Sequence, residues 1–292
     1  MSKKNDPQAS ICKSDAYRGE SKMCDMSNAF SKCLVIFIDI LGSQNRMDFQ
    51  EMYQINKIFH EELEKNQQFD KPNTAYQRKI CSFSDCAYIF YKFKNDVSDD
   101  RKDIGKLFTV ALCNCEPLFL RFIKKRIIFR GGIYYGDAYI DPQRSMFFGD
   151  AVNKAYKLES TTAIHPRIVI DPVVAETVME NVRQVELEIA MKTPEFFPFI
   201  GAGLVPNLSE TGDGVVEKDI DGQYIFNYLH FPENNILPHD YGLSCQEFLE
   251  DLIQYCLEQI DKNTQYKIID KYYYLLRFAQ SKLDNLLESA SE

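Results

Sequence analysis

Cys33-Leu-Val-Ile-Phe-Ile-Asp-Ile40 is the stretch that decides the fold. Its apolar residues follow one another without alternation, the pattern of a central strand covered on both faces, and Leu41-Gly42-Ser43 then turns the chain. Downstream, Phe49, Met52, Ile55, Phe59 and Leu63 recur at three- and four-residue steps against Glu, Gln and Lys, which predicts an amphipathic helix. Lys79 to Tyr91 predicts a β-hairpin with Ser84-Asp85 at its turn. A helix over 104–123 leads into a strand, Arg126–Arg130, and a second strand punctuated by glycine, Gly131–Gly136. A hairpin around Asp141-Pro142 ends at Phe147-Phe-Gly149, where a helix carrying Ala151, Ala155 and Leu158 begins, and Arg167–Ile170 is a further strand. This order predicts an α+β sandwich with a mixed sheet.

Beyond Asp171 a helix runs from Val173 to Ala190, followed by a stretch rich in Pro, Phe and Gly and a hairpin over Val215–Tyr228 around Asp221-Gly222. From Ser244 two helical patterns, Leu249, Leu252, Cys256, Ile260 and then Ile268, Tyr272, Leu275, Leu283, predict a C-terminal helical hairpin packed on the sheet domain. Residues 1–30 have no hydrophobic period and read as a mobile tail. The expected organisation is thus a tail (1–30), a sheet domain (31–232) and a helical appendage (233–292).

With 292 residues, 45% of them hydrophobic, the chain can bury a full core. A surplus of 43 acidic over 34 basic residues, net charge −9, argues against a nucleic acid or an anionic membrane as the main partner. No apolar run approaches the roughly 20 residues that span a bilayer. Met1-Ser-Lys-Lys-Asn-Asp has no apolar stretch behind its charges and does not read as a secretory signal, so the expected compartment is the cytoplasm. Nine scattered cysteines read as reduced thiols, with Cys113-x-Cys115 inside an amphipathic helix, and the four histidines have no helical partner for a zinc site.

Two carboxylates stand out. Asp39 ends an otherwise apolar strand, where an unpaired charge is costly, and Asp85 sits at a hairpin tip. If that hairpin lies beside the first strand the two converge, and a divalent cation relieves their repulsion. Taken singly, Asp39 can instead cap the next helix and Asp85 can be a turn residue. Gly42 and Ser43 can offer backbone N–H groups to a phosphate. Gly131-Gly-Ile-Tyr-Tyr-Gly136 mimics P-loop spacing but continues with Asp137 where a lysine is required, so it is set aside.

Asp39-Ile-Leu-Gly42, Phe83-Ser-Asp85, Arg130-Gly-Gly-Ile133-x-x-Gly136 and Gly149-x-x-x-Asn153-x-Ala155-x-x-Leu158-Glu159 together resemble, in order and spacing, the catalytic domain of class III nucleotide cyclases. Within that superfamily Arg130-Gly-Gly-Ile133, Ala155-Tyr-Lys-Leu-Glu159 and Lys271-Tyr-Tyr-Tyr-Leu-Leu276 are similar in wording to the pyrimidine cyclases of bacterial antiphage signalling, the Pycsar systems. The resemblance implies a ferredoxin-like mixed β-sheet with helices. It implies that Asp39 and Asp85 hold two divalent ions, Mn2+ or Mg2+, with the Ile40 carbonyl as a further ligand, and that the turn through Gly42 and Ser43 holds phosphates. It further implies that Arg130 contacts the triphosphate and Asn153 orients the ribose. Lys157 stands where relatives usually place the arginine that stabilises the pentavalent phosphorane, and a lysine supplies one compact charge instead of a planar fork. Lys154 and Lys218 are other candidate cations. Because the metal pair and the asparagine helix belong to opposite protomers in that superfamily, a homodimer with shared sites is implied.

At the two positions that read a purine in such enzymes this chain has Cys81 and Met146. Neither supplies the polar groups of an adenine or guanine reader, which favours CTP or UTP as substrate and a 3′,5′-cyclic pyrimidine nucleotide plus pyrophosphate as products. The alternatives are a cyclase acting on ATP or GTP and a catalytically silent nucleotide-binding module.

Overall fold

A computed structural model of the chain describes residues 30–42, 48–69, 74–141, 144–191, 214–231, 241–289 and 291. The expected tail, Ser43 and the stretch rich in Pro, Phe and Gly lie outside the described residues. Strand β1 (Ser31–Ile40) is central, and its residues Cys33 to Ile38 are all buried, as their unbroken apolar run requires. β2 (Tyr76–Phe83) and β3 (Cys86–Phe93) form the hairpin on one side of it. β4 (Phe129–Asp141) pairs with its other edge, and β5 (Met146–Phe148) folds back on the end of β4. β6 (Ile168–Ile170), β7 (Val216–Lys218) and β8 (Tyr224–Phe226) complete an eight-stranded sheet in the order β2-β3-β1-β4-β6-β8-β7. All pairings are antiparallel except β4 with β6. The sheet with its helices is the α+β sandwich that the pattern predicts.

One face is closed by α1 (Phe49–Phe69), α2 (Ile104–Lys124) and α4 (Pro172–Met191), whose apolar stripes meet Leu34, Ile36 and Ile38 in the main core. The C-terminal helices α5 (Cys245–Lys262) and α6 (Tyr266–Ser289) add Phe248, Leu252, Leu275 and Ala279 to that same core. α5 starts from a full capping box of Ser244 and Glu247. The second face is covered by α3 (Asp150–Thr161), which packs Ala151, Val152 and Ala155 on Cys33, Val35 and Phe37. Helix and sheet approach so closely there that a Cβ on Gly132 would lie 2.2 Å from the Ala155 carbonyl oxygen. α3 is entered through Gly149 at φ +136, a conformation only glycine adopts without strain.

Two readings of the sequence are corrected. Arg126–Arg130 and Gly131–Gly136 are not two strands: a single thirteen-residue strand starts at Phe129, and Arg126 lies in the turn before it at φ +61. Asp39 is not a helix cap, because α1 begins at Phe49 and its first turn is held by Asp48, which accepts from the Glu51 N–H at 3.3 Å.

Candidate active site

The site is created by strand register. On β1, Asp39 is paired with Cys86 of β3 on one side and with Arg130 of β4 on the other. Residues directly opposite in a ladder bring their side chains together on one face, so Arg130 meets Asp39, and Nε donates to Oδ2 at 3.2 Å. Asp85 is one residue beyond the last pair, in the two-residue turn Ser84-Asp85, and Ser84 holds φ +55 to make that turn. The Ile40 N–H donates to the Asp85 carbonyl at 3.0 Å, tying the hairpin tip to the end of β1. Asp39, Asp85 and Ile40 are thereby gathered at one corner of the sheet.

A fourth group enters from α3. Glu159 is buried, and its Oε1 is 2.6 Å from Arg130 Nε. The guanidinium is therefore held between two carboxyls. Burial raises the Asp39 carboxyl above its ordinary range in spite of Arg130, and the charge of Asp85 pushes it further the same way. Burial lifts Glu159 to about 7, against the opposing pull of Arg130. Cys86, beside them, is pushed up to about 11 by burial and by the negative charges of Asp85, Asp39 and Glu159. Two carboxyls on one guanidinium, with a third at the adjoining hairpin tip, make a site of concentrated negative charge, and such a site gains from a cation.

Among the described residues no group of three or more His, Cys, Asp or Glu side chains is arranged to hold a metal. The donor set nevertheless fits a hard divalent ion. Asp39 and Asp85 repel each other at close range, both are half-buried, and both are oxygen donors, and Mg2+ is commonly held by one or two carboxylates with substrate phosphates completing its shell.

The other residues singled out in the sequence lie elsewhere. Asn153 and Lys157 are one turn apart on α3 and both exposed, on the side of the helix away from its buried Ala151, Ala155 and Glu159. Neither makes a hydrogen bond or an ion pair with Asp39, whose ion-pair partner is Arg130. Lys154 is occupied by Asp150 at 2.9 Å and the Tyr134 hydroxyl at 2.8 Å. Lys218 lies over the Tyr224 ring. Gly42 is exposed at φ +78, and five residues separate it from Asp48, so the turn and the helix N-terminus are distinct places in the chain.

Cys81 pairs with Tyr88 across the hairpin and borders an aromatic surface of Phe37, Tyr88, Phe90 and Phe147, with Phe37 and Tyr88 rings 4.5 Å apart and Tyr88 and Phe147 4.9 Å apart. Burial raises the Cys81 thiol pKa, so it is neutral. Met146, next to Phe147 on β5, is 41% exposed. Tyr156 of α3 closes one side of this surface against Phe37 at 5.5 Å. Glu159 received no role from the sequence, although a lone acid on the apolar face of α3, one turn after Ala155, was the available signal.

No family model matches the chain, and no curated protein matches it. Among solved structures it is similar to the monomeric guanylyl cyclase domain of the RhoGC fusion protein from the aquatic fungus Blastocladiella emersonii, at 19% identity over 52% of this chain and 86% of that one, with a TM-score of 0.36. It is similar, again at 19% identity and a TM-score of 0.36, to the catalytic core of a rhodopsin-guanylyl cyclase with converted specificity in complex with ATPalphaS, over 51% of this chain and 82% of that one.

Proposed function

We propose that this chain is a metal-dependent nucleotide cyclase of the class III kind that converts CTP or UTP to the 3′,5′-cyclic monophosphate and pyrophosphate. The observation that carries the reading is the register of β1, which puts Asp39 beside Asp85 and opposite Arg130, the three positions that the sequence motifs single out for metal and triphosphate. Two divalent ions at such a site supply a lowered pKa for the attacking ribose hydroxyl and neutralise charge on the leaving pyrophosphate. The chain's own part is to hold the oxygen donors in place through the ladder and to present Arg130 to the phosphates. Arg130 is an effective presenter because Asp39 and Glu159 fix its orientation before substrate arrives.

The exposure of Asn153 and Lys157, on the opposite side of α3 from Glu159, supports a site completed by a second copy. In that arrangement Asn153 of one protomer orients the ribose over the carboxylates of the other, and Lys157 supplies the compact positive charge at the phosphorane. A pyrimidine is favoured because the neutral thiol of Cys81 and the thioether of Met146 offer no strong donor or acceptor to a purine edge. The wording shared with Pycsar cyclases extends the proposal to a second messenger in antiviral defence, made in the cytoplasm. Among the described residues no helix is long and apolar enough to cross a membrane.

The test is incubation of the purified chain with each of the four ribonucleotides and Mn2+ or Mg2+, with products identified by mass. A cyclic pyrimidine nucleotide is expected, and its loss in Asp39→Asn and in Asp85→Asn is expected with the fold intact. Cyclic AMP or GMP as the main product would overturn the base assignment, and no cyclic product from any of the four would overturn the enzyme.

A further inference from the structure

A second concentration of charge, of the opposite sign, lies at the other end of β1. Between the start of that strand, the end of β3 and the start of α2 there is a cavity of about 450 Å³, a size that suits a small molecule. Lys32, Lys92, Lys94 and Lys102 line it, and among the described residues no carboxylate does. Lys32 stands seven residues before Asp39 on the same strand. At the rise of an extended strand that is roughly 23 Å, so the cavity is separate from the carboxylate corner.

The four lysines are gathered in a chain whose acidic residues outnumber its basic ones, 43 to 34. What neutralises them is weak. Lys32 meets Asp137 at 3.0 Å and Lys102 meets Asp99 at 2.7 Å, but both carboxylates are exposed, and an ion pair in water is worth only about 0–1 kcal/mol. Lys94 donates to a neutral group, the Thr74 hydroxyl, at 3.2 Å. Lys92 is half-buried and makes no hydrogen bond or ion pair among the described residues. The first residue of α2, Ile104, is in the same lining, so the positive end of a 21-residue helix adds to the field. The capping carboxylate of that helix, Asp103, is engaged by the Lys106 N–H at 3.0 Å and by its ammonium at 3.2 Å. Phe93 and Tyr135 give the cavity aromatic walls. Like charges around a concave, partly apolar site focus a positive potential that a compact polyanion relieves.

We propose that this cavity binds a small polyphosphate anion, with the lysine ammoniums on its phosphate oxygens. An ammonium is suited to this as a compact charge with three rotatable donors. The phosphate chain can come from an inorganic polyphosphate or from a nucleotide, whose ring the Phe93 and Tyr135 walls would receive. The proposal does not depend on the cyclase reading, and the site needs no metal. Here lysines supply the positive charge, whereas the carboxyls of Asp39 and Asp85 repel a phosphate until a cation is present.

The test is calorimetry on the full chain in EDTA, with inorganic tripolyphosphate, UTP and ATP as the injected anions. Tripolyphosphate should bind, and more weakly as salt is raised. Lys92→Ala combined with Lys102→Ala should weaken that binding by about tenfold or more, the effect of losing a hydrogen bond to a charged group. Arginine at both positions should keep most of the affinity. Lys57→Ala combined with Lys262→Ala removes the same charge from two exposed helical ion pairs and should leave the affinity unchanged. All of these variants should keep the thermal midpoint of the parent. A nucleotide that binds more tightly than tripolyphosphate identifies a nucleotide as the ligand, and equal or weaker binding identifies the inorganic chain. Binding that appears only with Mg2+, or affinity unchanged when Lys92 and Lys102 are both replaced by alanine, would overturn the proposal. So would a loss that follows a lowered midpoint and is not rescued by arginine, or no binding of any of the three anions.

Discussion

Gly132→Ala tests whether the seat of α3 on the sheet governs the site. The added Cβ would lie 2.2 Å from the Ala155 carbonyl oxygen, 2.8 Å from Leu158 Cβ and 3.0 Å from the Glu159 nitrogen, where ordinary contact begins at 3.4 Å. Two of these three atoms belong to the helix backbone, which has no rotamer to give, so α3 has to lift by about 1 Å. Overpacking of this kind costs about 1–3 kcal/mol, which lowers the thermal midpoint of a chain this size by roughly 2–5 °C and leaves it folded at room temperature. The consequence for activity is larger. α3 holds Glu159 against Arg130 and, in the proposed dimer, presents Asn153 and Lys157 to the other protomer, and a displacement of about 1 Å at reacting groups costs about a hundredfold in rate. Gly136→Ala is the control, since its Cβ would meet side-chain atoms only, Tyr134 Cε1 at 3.1 Å and Ala151 Cβ at 3.4 Å, and the tyrosine ring can yield. Product formation at 25 °C, measured alongside thermal and urea unfolding, should show Gly132→Ala far slower than Gly136→Ala while both are folded. Equal turnover in the two variants, or wild-type stability in Gly132→Ala, would refute the reasoning.

Three further outcomes follow from single observations. Mixing Asp39→Asn chains with Asn153→Ala chains should restore part of the activity that each lacks alone, because one of the two sites in the mixed dimer is then intact; verified mixed dimers with no activity would contradict the shared site. Glu116 is buried on α2, accepts the Phe231 N–H at 3.0 Å, and is lifted by burial from an ordinary 4.5 to about 8. The folded chain keeps a proton there that the unfolded chain releases, so stability should fall as pH rises from about 4.5 to about 8, by at most about 1.4 kcal/mol per pH unit. Glu116→Gln should remove that part of the slope, and parallel urea midpoints for the two proteins across this range would show that Glu116 is ionised in the fold. Arg167 is buried, and its guanidinium is bonded to Asp219, to Asp221 at 2.6 Å and to the Thr162 carbonyl at 3.0 Å. Arg167→Met should destabilise by about 3–5 kcal/mol by leaving Asp219 without its main cation, read from chemical unfolding; a loss below about 1 kcal/mol would argue that the carboxylates find other partners.

Most of the fold was legible because hydrophobic period is a local property. The unbroken run from Cys33 to Ile38 can be satisfied only by cover on both faces, and the three- and four-residue steps of α1, α2 and α4 can be buried only as helices. The entry to β4 was misread for a local reason of another kind. α2 ends in a turn closed by the Arg126 N–H to the Ile123 carbonyl at 2.9 Å and the Ile127 N–H to the Phe122 carbonyl at 2.9 Å. Its left-handed position is filled by Arg126 where glycine is usual, so the signal that ends a helix is missing. Gly131 and Gly132, which look like a break in the strand, are inside it and serve the close approach of neighbouring backbone.

The sequence by itself determined the elements, their order, and the residue types Asp39, Asp85 and Arg130 that give the site its chemistry. Their meeting was decided by the tertiary structure. A strand buried on both faces has no polar alternation to mark its register, so nothing in Cys33–Ile40 says that Asp39 will lie opposite Arg130 rather than one residue away on the other face. Glu159 comes from a helix that is separated from Asp39 along the chain, and only the packing of α3 against the sheet brings its charge to the Arg130 that Asp39 also holds. Charge acts through space, and the distances that set it belong to the fold.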